Sequence, residues 1–211
     1  MKKAIIYRVA LYSIATIIAF GIYHRSQVPL ETDQEYCDRT GRVKIHDRFF
    51  KYDVYQNNEM KPIADMLSKN CNGDNYCEIN HAYQYVVKIP YKESNVSRTP
   101  SDVINQNGGD CDEKSFLLAT LLLEMDQQSI FITTKDHAYL AIHLKNEEQL
   151  KGPLSYFMIH DKRYYVAETA TNQGYIGQYN KIEEREIDGI YDIVEKKEIP
   201  LDQVEYHVNK S

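Results

Sequence analysis

Cys111, His137 and Glu168 are the residues of this chain whose types and spacing could do chemistry. Cys111 stands behind Gly108-Gly109 and ahead of the apolar run 116–123. Asp110 and Glu113 have the spacing of a capping box, with Asp110 as N-cap and Glu113 at N3. Cys111 would then take the first helical position, where unpaired amides and the helix dipole favour a thiolate. The alternative reading is a small buried residue that begins a core helix, where most free cysteines sit. A cysteine nucleophile needs a histidine to take and return a proton, and a polar group to orient the imidazole. His137 and Glu168 follow in that order.

The elements around them are consistent with that use. Residues 128–134 read as a strand that ends before Asp136, and 137–144 as the next. His137, Tyr139, Ala141 and His143 share one face of the second strand; Ala138, Leu140, Ile142 and Leu144 make the other face apolar. After a turn at Asp161-Lys162, a third strand runs from Tyr164 to Glu168. A helix with Cys, a strand with His and a strand with an acid is a workable order for a triad in a small sheet-on-helix domain.

Gly109-Asp-Cys-Asp before a leucine-rich helix, the strand His137-Ala-Tyr-Leu, and Tyr164-Tyr-Val-Ala-Glu-Thr169 together resemble the transglutaminase-like superfamily, which includes bacterial and archaeal cysteine peptidase-like members. Upstream, residues 85–92 and 99–104 are similar to that superfamily's segments ahead of the cysteine, so the resemblance covers about residues 79–177. It implies an α+β fold with a papain-like/transglutaminase-like core, in which the helix bearing Cys packs on a small antiparallel sheet. It also implies that Cys111 is the nucleophile, His137 the general base and acid, and Glu168 the orienting carboxylate. Many members carry Asp followed by Pro at the acid position, whereas Glu168 precedes Thr169-Ala170, and Asp161 stays open as a second carboxylate. For the oxyanion, the start of the Cys111 helix can supply an amide. Gln84, Tyr91 and Gln106 are candidates by type, and the chain has no tryptophan to offer an indole donor.

The N-terminus is expected to anchor the protein. Residues 4–23 are apolar except for Arg8, which can snorkel to the interface. That is just enough to cross a hydrocarbon core of ~30 Å with ~20 residues. Lys2, Lys3 and Arg8 outweigh Arg25, so the domain is expected on the extracytoplasmic side of a single-pass membrane helix. The rival is a cleaved signal peptide, although no small-x-small site follows in residues 24–29. The expected divisions are 1–25 for the signal-anchor helix, 26–77 for a connector, 78–180 for the transglutaminase-like domain and 181–211 for a charged extension. Within these, 57–70 and 77–87 read as helices, Thr99-Pro100 as a helix start ended by Asn107-Gly108-Gly109, and Asp188-Gly189 as a hairpin or loop.

Charge and cysteine usage narrow the function. A net charge of −6 without a dense basic run excludes nucleic acid as the natural partner. The 18 tyrosines suit strand faces. Of the four cysteines, Cys71 and Cys77 flank a turn-rich loop and are the best bridge, with Cys37 as a competing partner for either. No metal or other cofactor is expected. There is no Cys-x-x-Cys or His-Glu-x-x-His, and Asn70, Asn72, Asp74 and Glu78 make only an incomplete calcium loop. The expected function is that of a membrane-anchored thiol enzyme acting on amide bonds of a protein or peptide substrate, as a cysteine peptidase or amidase. An amine-accepting transglutaminase and a non-catalytic peptide-binding module on the same fold are the alternatives.

Overall fold

The computed structural model describes residues 59–94, 98–178 and 186–209, the strands at 43–45 and 48–50, and the single residues Thr32, Glu35 and Arg39. The chain divides into two units, Met1–Thr40 and Gly41–Ser211. The expected membrane segment and Cys37 lie outside the described residues, among which no helix is long and apolar enough to cross a membrane.

The second unit is α+β. A short hairpin of β1 (Val43–Ile45) and β2 (Arg48–Phe50) precedes four helices, α1 (Lys61–Ser68), α2 (Asn75–Val87), α3 (Pro100–Asn105) and α4 (Cys111–Glu124). Strands β3 (Ser129–Thr134), β4 (His137–His143), β5 (Leu154–Ile159), β6 (Lys162–Ala167), β7 (Ile187–Asp192), β8 (Lys197–Glu198) and β9 (Val204–Asn209) follow. They form one curled antiparallel sheet in the order β8-β7-β3-β4-β6-β5-β9.

Local chemistry sets most helix ends. In α4 the Asp110 side chain accepts from the Glu113 amide while Glu113 reaches back to the Asp110 amide, the reciprocal box its sequence predicts. Thr99 and Asp102 repeat the device at α3, with Pro100 at the first helical position. Helix α2 starts two residues before the expected Cys77, because Asp74 accepts from the Cys77 amide. The Cys71–Cys77 disulfide closes the loop in front of it. Asp74 also receives Gln149, and Glu78 receives Gln127, so two of the calcium-loop residues are occupied in capping and packing. Helix α1 is shorter than its apolar spacing suggested: its first turn contains Pro62, which lacks an amide for a bond further back in the chain.

Helix α4 is the central element. Every residue from Glu113 to Leu122 is buried, the pattern of a helix enclosed on all sides. Its Phe116 stacks on Phe131 of β3 with ring centroids 4.5 Å apart. Leu117, Leu118 and Leu121 join Ile79, Tyr83 and Val86 of α2 in the same core as Leu140 and Ile142 of β4. Each such side chain contributes about 1.5–3 kcal/mol through burial.

The opposite face of β4 is buried too, which its mixed composition did not predict. Tyr139 and Ala141 enter a second core with Ile130, Phe157, Val166, Ile190 and Ile199. The curl of the sheet brings β5 and β7 over that face, so a strand with one mixed face is enclosed on both sides.

Residues 187–209, expected as a charged extension, supply three strands of this sheet. Asp188-Gly189 is not a hairpin but lies inside β7 beside β3, where Asp188 accepts from the Thr133 hydroxyl at 2.6 Å. The reversal comes later, at 193–196, where Lys196 takes a positive φ of 54°.

Candidate functional site

The site lies where the start of α4 meets one end of the sheet. His137 opens β4, and Glu168 directly follows the last residue of β6; pairing of Leu140 with Ala167 puts both at the same end. The Glu168 carboxylate is 2.7 Å from His137 Nε2. Cys111 is close enough to the same ring to raise it, through hydrogen bonding and charge. Cys111 is half-buried and is the one free cysteine among the described residues. The structure thus brings together all three residues singled out in the sequence.

Asp161 is not among them. With His160 it forms the tight β5–β6 turn, both at positive φ (47° and 62°), the geometry of a two-residue type I′ hairpin. It precedes β6 whereas Glu168 follows it, so the strand's full length of roughly 20 Å separates the two carboxylates.

Glu168 is held from several sides. Its Oε1 accepts from the Ala170 amide at 2.7 Å, which leaves Oε2 for the imidazole. The Tyr83 hydroxyl of α2 donates to the Glu168 carbonyl at 2.9 Å, and the next residue of α2, Gln84, donates to the Gly174 carbonyl. Helix α2 therefore fixes the loop that carries the acid. That loop needs a glycine at 174, since a Cβ there would stand 2.6 Å from the Tyr83 hydroxyl oxygen. Ser115 of α4 meets Thr169 at 3.0 Å between buried hydroxyls. The cysteine's helix and the acid's loop are thus joined directly.

Burial opposes charge on His137, but hydrogen bonds to Cys111 and Glu168 and the charge of both outweigh it and lift the imidazole to about 9. The imidazolium is consequently the folded-state form through the neutral range. A raised folded-state value adds stability below the unfolded value of 6.5, and that stability is lost as pH rises through 9. The stability difference between wild type and His137→Gln should therefore shrink by about 3 kcal/mol from pH 6 to beyond 9, read by denaturant titration at each pH. A pH-independent difference would contradict this account of the imidazole.

The approach to Cys111 is acidic. Burial, with a hydrogen bond and repulsion from Asp110, pushes the Asp112 carboxyl well above the ordinary carboxylate range. Glu113, also pushed up by burial, is engaged by the Arg98 amide at 2.6 Å and the Arg98 guanidinium at 3.3 Å. Arg98 also donates to the Gly108 carbonyl, tying the segment ahead of α3 to the glycine pair before the cysteine.

The three oxyanion candidates part company. The Gln84 amide is committed to Gly174, and Gln106 is exposed at the end of α3. Tyr91 is 46% exposed and bridges to Gly109; burial raises its phenol, and the charges of Cys111, Glu93, Asp110 and Asp112 add to this. Of the candidates it alone is placed by its electrostatics at the mouth of the site.

Reading the sequence missed Arg98, Tyr83, Lys114 and the Ser115–Thr169 pair. Only Lys114 left a signal, as a cation placed just ahead of an apolar helical run. The others act across 54 to 85 residues of chain, or, for Arg98, through a segment with no periodic pattern. Neither a comparison with protein-family models nor one with curated protein sequences gives a match for this chain.

Proposed function

We propose that the protein is a thiol enzyme of transglutaminase-like type that cleaves amide bonds through an acyl-enzyme on Cys111. The observation that carries this reading is the gathering of Cys111, His137 and Glu168 at one end of the sheet, with the carboxylate on His137 Nε2 and the thiol near enough to act on the same imidazole. In the reaction the Cys111 sulfur attacks the amide carbonyl carbon, and the carbonyl oxygen takes up the negative charge. The capping box occupies the Asp110 and Glu113 amides, which leaves the Cys111 amide at the head of α4 to receive that oxygen. His137 passes the proton from the thiol to the departing nitrogen, the C–N bond breaks and a thioester remains. His137 then draws a proton from water, whose oxygen attacks the thioester and releases the acid and the free thiol. Water is favoured over an amine as acceptor because it is far more abundant. The apolar segment 4–23 supports placing the domain on the outer side of a membrane, where its substrates would be exported proteins or peptides.

The test is to incubate the full chain with a panel of peptide amides and follow intact mass. Wild type should carry an acyl adduct on Cys111 and incorporate oxygen from labelled water into the product, while Cys111→Ala should do neither. Incorporation of an added amine in place of water would make the acceptor an amine. Failure to acylate, together with ordinary thiol reactivity at Cys111, would leave a binding module.

A further inference from the structure

We propose that Lys114 is a positioning residue of this site: a buried ammonium that fastens the nucleophile's helix to the carbonyl end of α2 and balances the charge of Glu168. This rests on the catalytic reading above. Lys114 is 0% exposed, and a lysine so enclosed needs both hydrogen-bond acceptors and a counter-charge. The acceptors are the carbonyls of Ile89, at 2.8 Å, and Val87, at 3.5 Å. Val87 is the last residue of α2, where the helix dipole presents its negative end.

Carbonyls carry no net charge, so the counter-charge must come from elsewhere. Lys114 and Glu168 are brought together by their neighbours, since the Ser115–Thr169 bond clamps the residue after one to the residue after the other. Burial draws the ammonium down to about 8 while Glu168 holds it up. Of the acids near the start of α4, Glu113 is engaged by Arg98, and Glu168, which also bonds His137, is the carboxylate whose charge reaches the ammonium. Lys114 also sits one helical turn from Cys111, on the same side of α4. Its stem explains Gly109, where a Cβ would meet Lys114 Cγ at 3.3 Å and both Val103 methyls at 3.2 Å. The lysine thereby supports the loop that delivers the cysteine as well as the loop that delivers the acid.

Two measurements on the full chain test this. Lys114→Met should slow iodoacetamide alkylation of Cys111 at pH 7 by roughly ten- to a hundred-fold, the cost of a misplaced group, and Lys114→Arg should recover most of the rate. Separately, the Lys114 ammonium can be titrated by NMR with its own side chain intact. Its midpoint should fall in Glu168→Gln, because an anion has been removed, whereas a lysine serving only to pack the helix would titrate alike in both proteins. That second pair decides the matter even if Lys114→Met does not fold. An unmoved Lys114 midpoint, or Lys114→Met alkylating at the wild-type rate, overturns the proposal. If instead His137→Ala alkylates as wild type, the catalytic reading fails while the Lys114–Glu168 pairing can still be read by NMR.

Discussion

His137→Ala is expected to reduce turnover by roughly 10²- to 10⁴-fold, the range for loss of a positioned general acid–base. It should also slow alkylation of Cys111 at neutral pH. Both effects come from the same ring. Cys111 and the carboxylate on Nε2 both help to keep the imidazole protonated up to about 9, so the sulfur has a counter-charge near it. Alanine removes the counter-charge and the proton carrier together. It leaves Glu168 its Ala170 amide, so the loop keeps its anchor and circular dichroism should report a folded protein. The measurement is the second-order rate of alkylation, compared with Cys111→Ala to subtract reaction elsewhere. Equal rates in wild type and His137→Ala would remove His137 from its assigned role, whatever the distance between the groups.

Glu168→Gln is expected to be nearly as damaging, through orientation. The Ala170 amide donates to Oε1, so a glutamine would keep its carbonyl oxygen there and turn its NH₂ toward His137 Nε2. A donor facing Nε2 forces that nitrogen to accept, which moves the ring proton to Nδ1. The ring is then held in a tautomer set by the glutamine and has no carboxylate to support the imidazolium. A loss of roughly 10²- to 10⁴-fold in kcat follows from the wrong tautomer and the missing charge. Glu168→Asp should be milder, retaining charge but falling one methylene short of holding the Ala170 amide and the imidazole at once. Asp161→Asn should leave turnover unchanged, because Asp161 belongs to a turn at the far end of β6. Unchanged kcat in Glu168→Gln, or a large loss in Asp161→Asn, would reverse the assignment of the carboxylate.

These expectations divide according to how far along the chain the physics reaches. What the sequence determined by itself is local. The Asp110–Glu113 box is a bond between residues three apart, so its four-residue spacing suffices to put Cys111 at the head of α4. Thr99, Pro100 and Asp102 start α3 in the same way. The alternation around His137 identifies β4, and the turn residues between Cys71 and Cys77 favour the bridge that the structure shows, over Cys37 as a partner. None of these needs knowledge of a distant partner.

What only the tertiary structure decided are the pairings between distant residues. Glu168 and Asp161 are equivalent as acids within one strand and turn; the choice between them depends on which end of β6 faces His137, and antiparallel register with β4 sets that. Asp188-Gly189 has the composition of a turn, yet pairing with β3 and the Thr133 hydroxyl hold it in a strand. Burial of the mixed face of β4 could not be read from its residues, because curling of the sheet is a property of all seven strands together. Lys114 reads locally as a solvated helix cation. It is buried because the end of α2 offers it two carbonyls and the loop after β6 offers a carboxylate, and those groups come from segments that meet only in the folded chain.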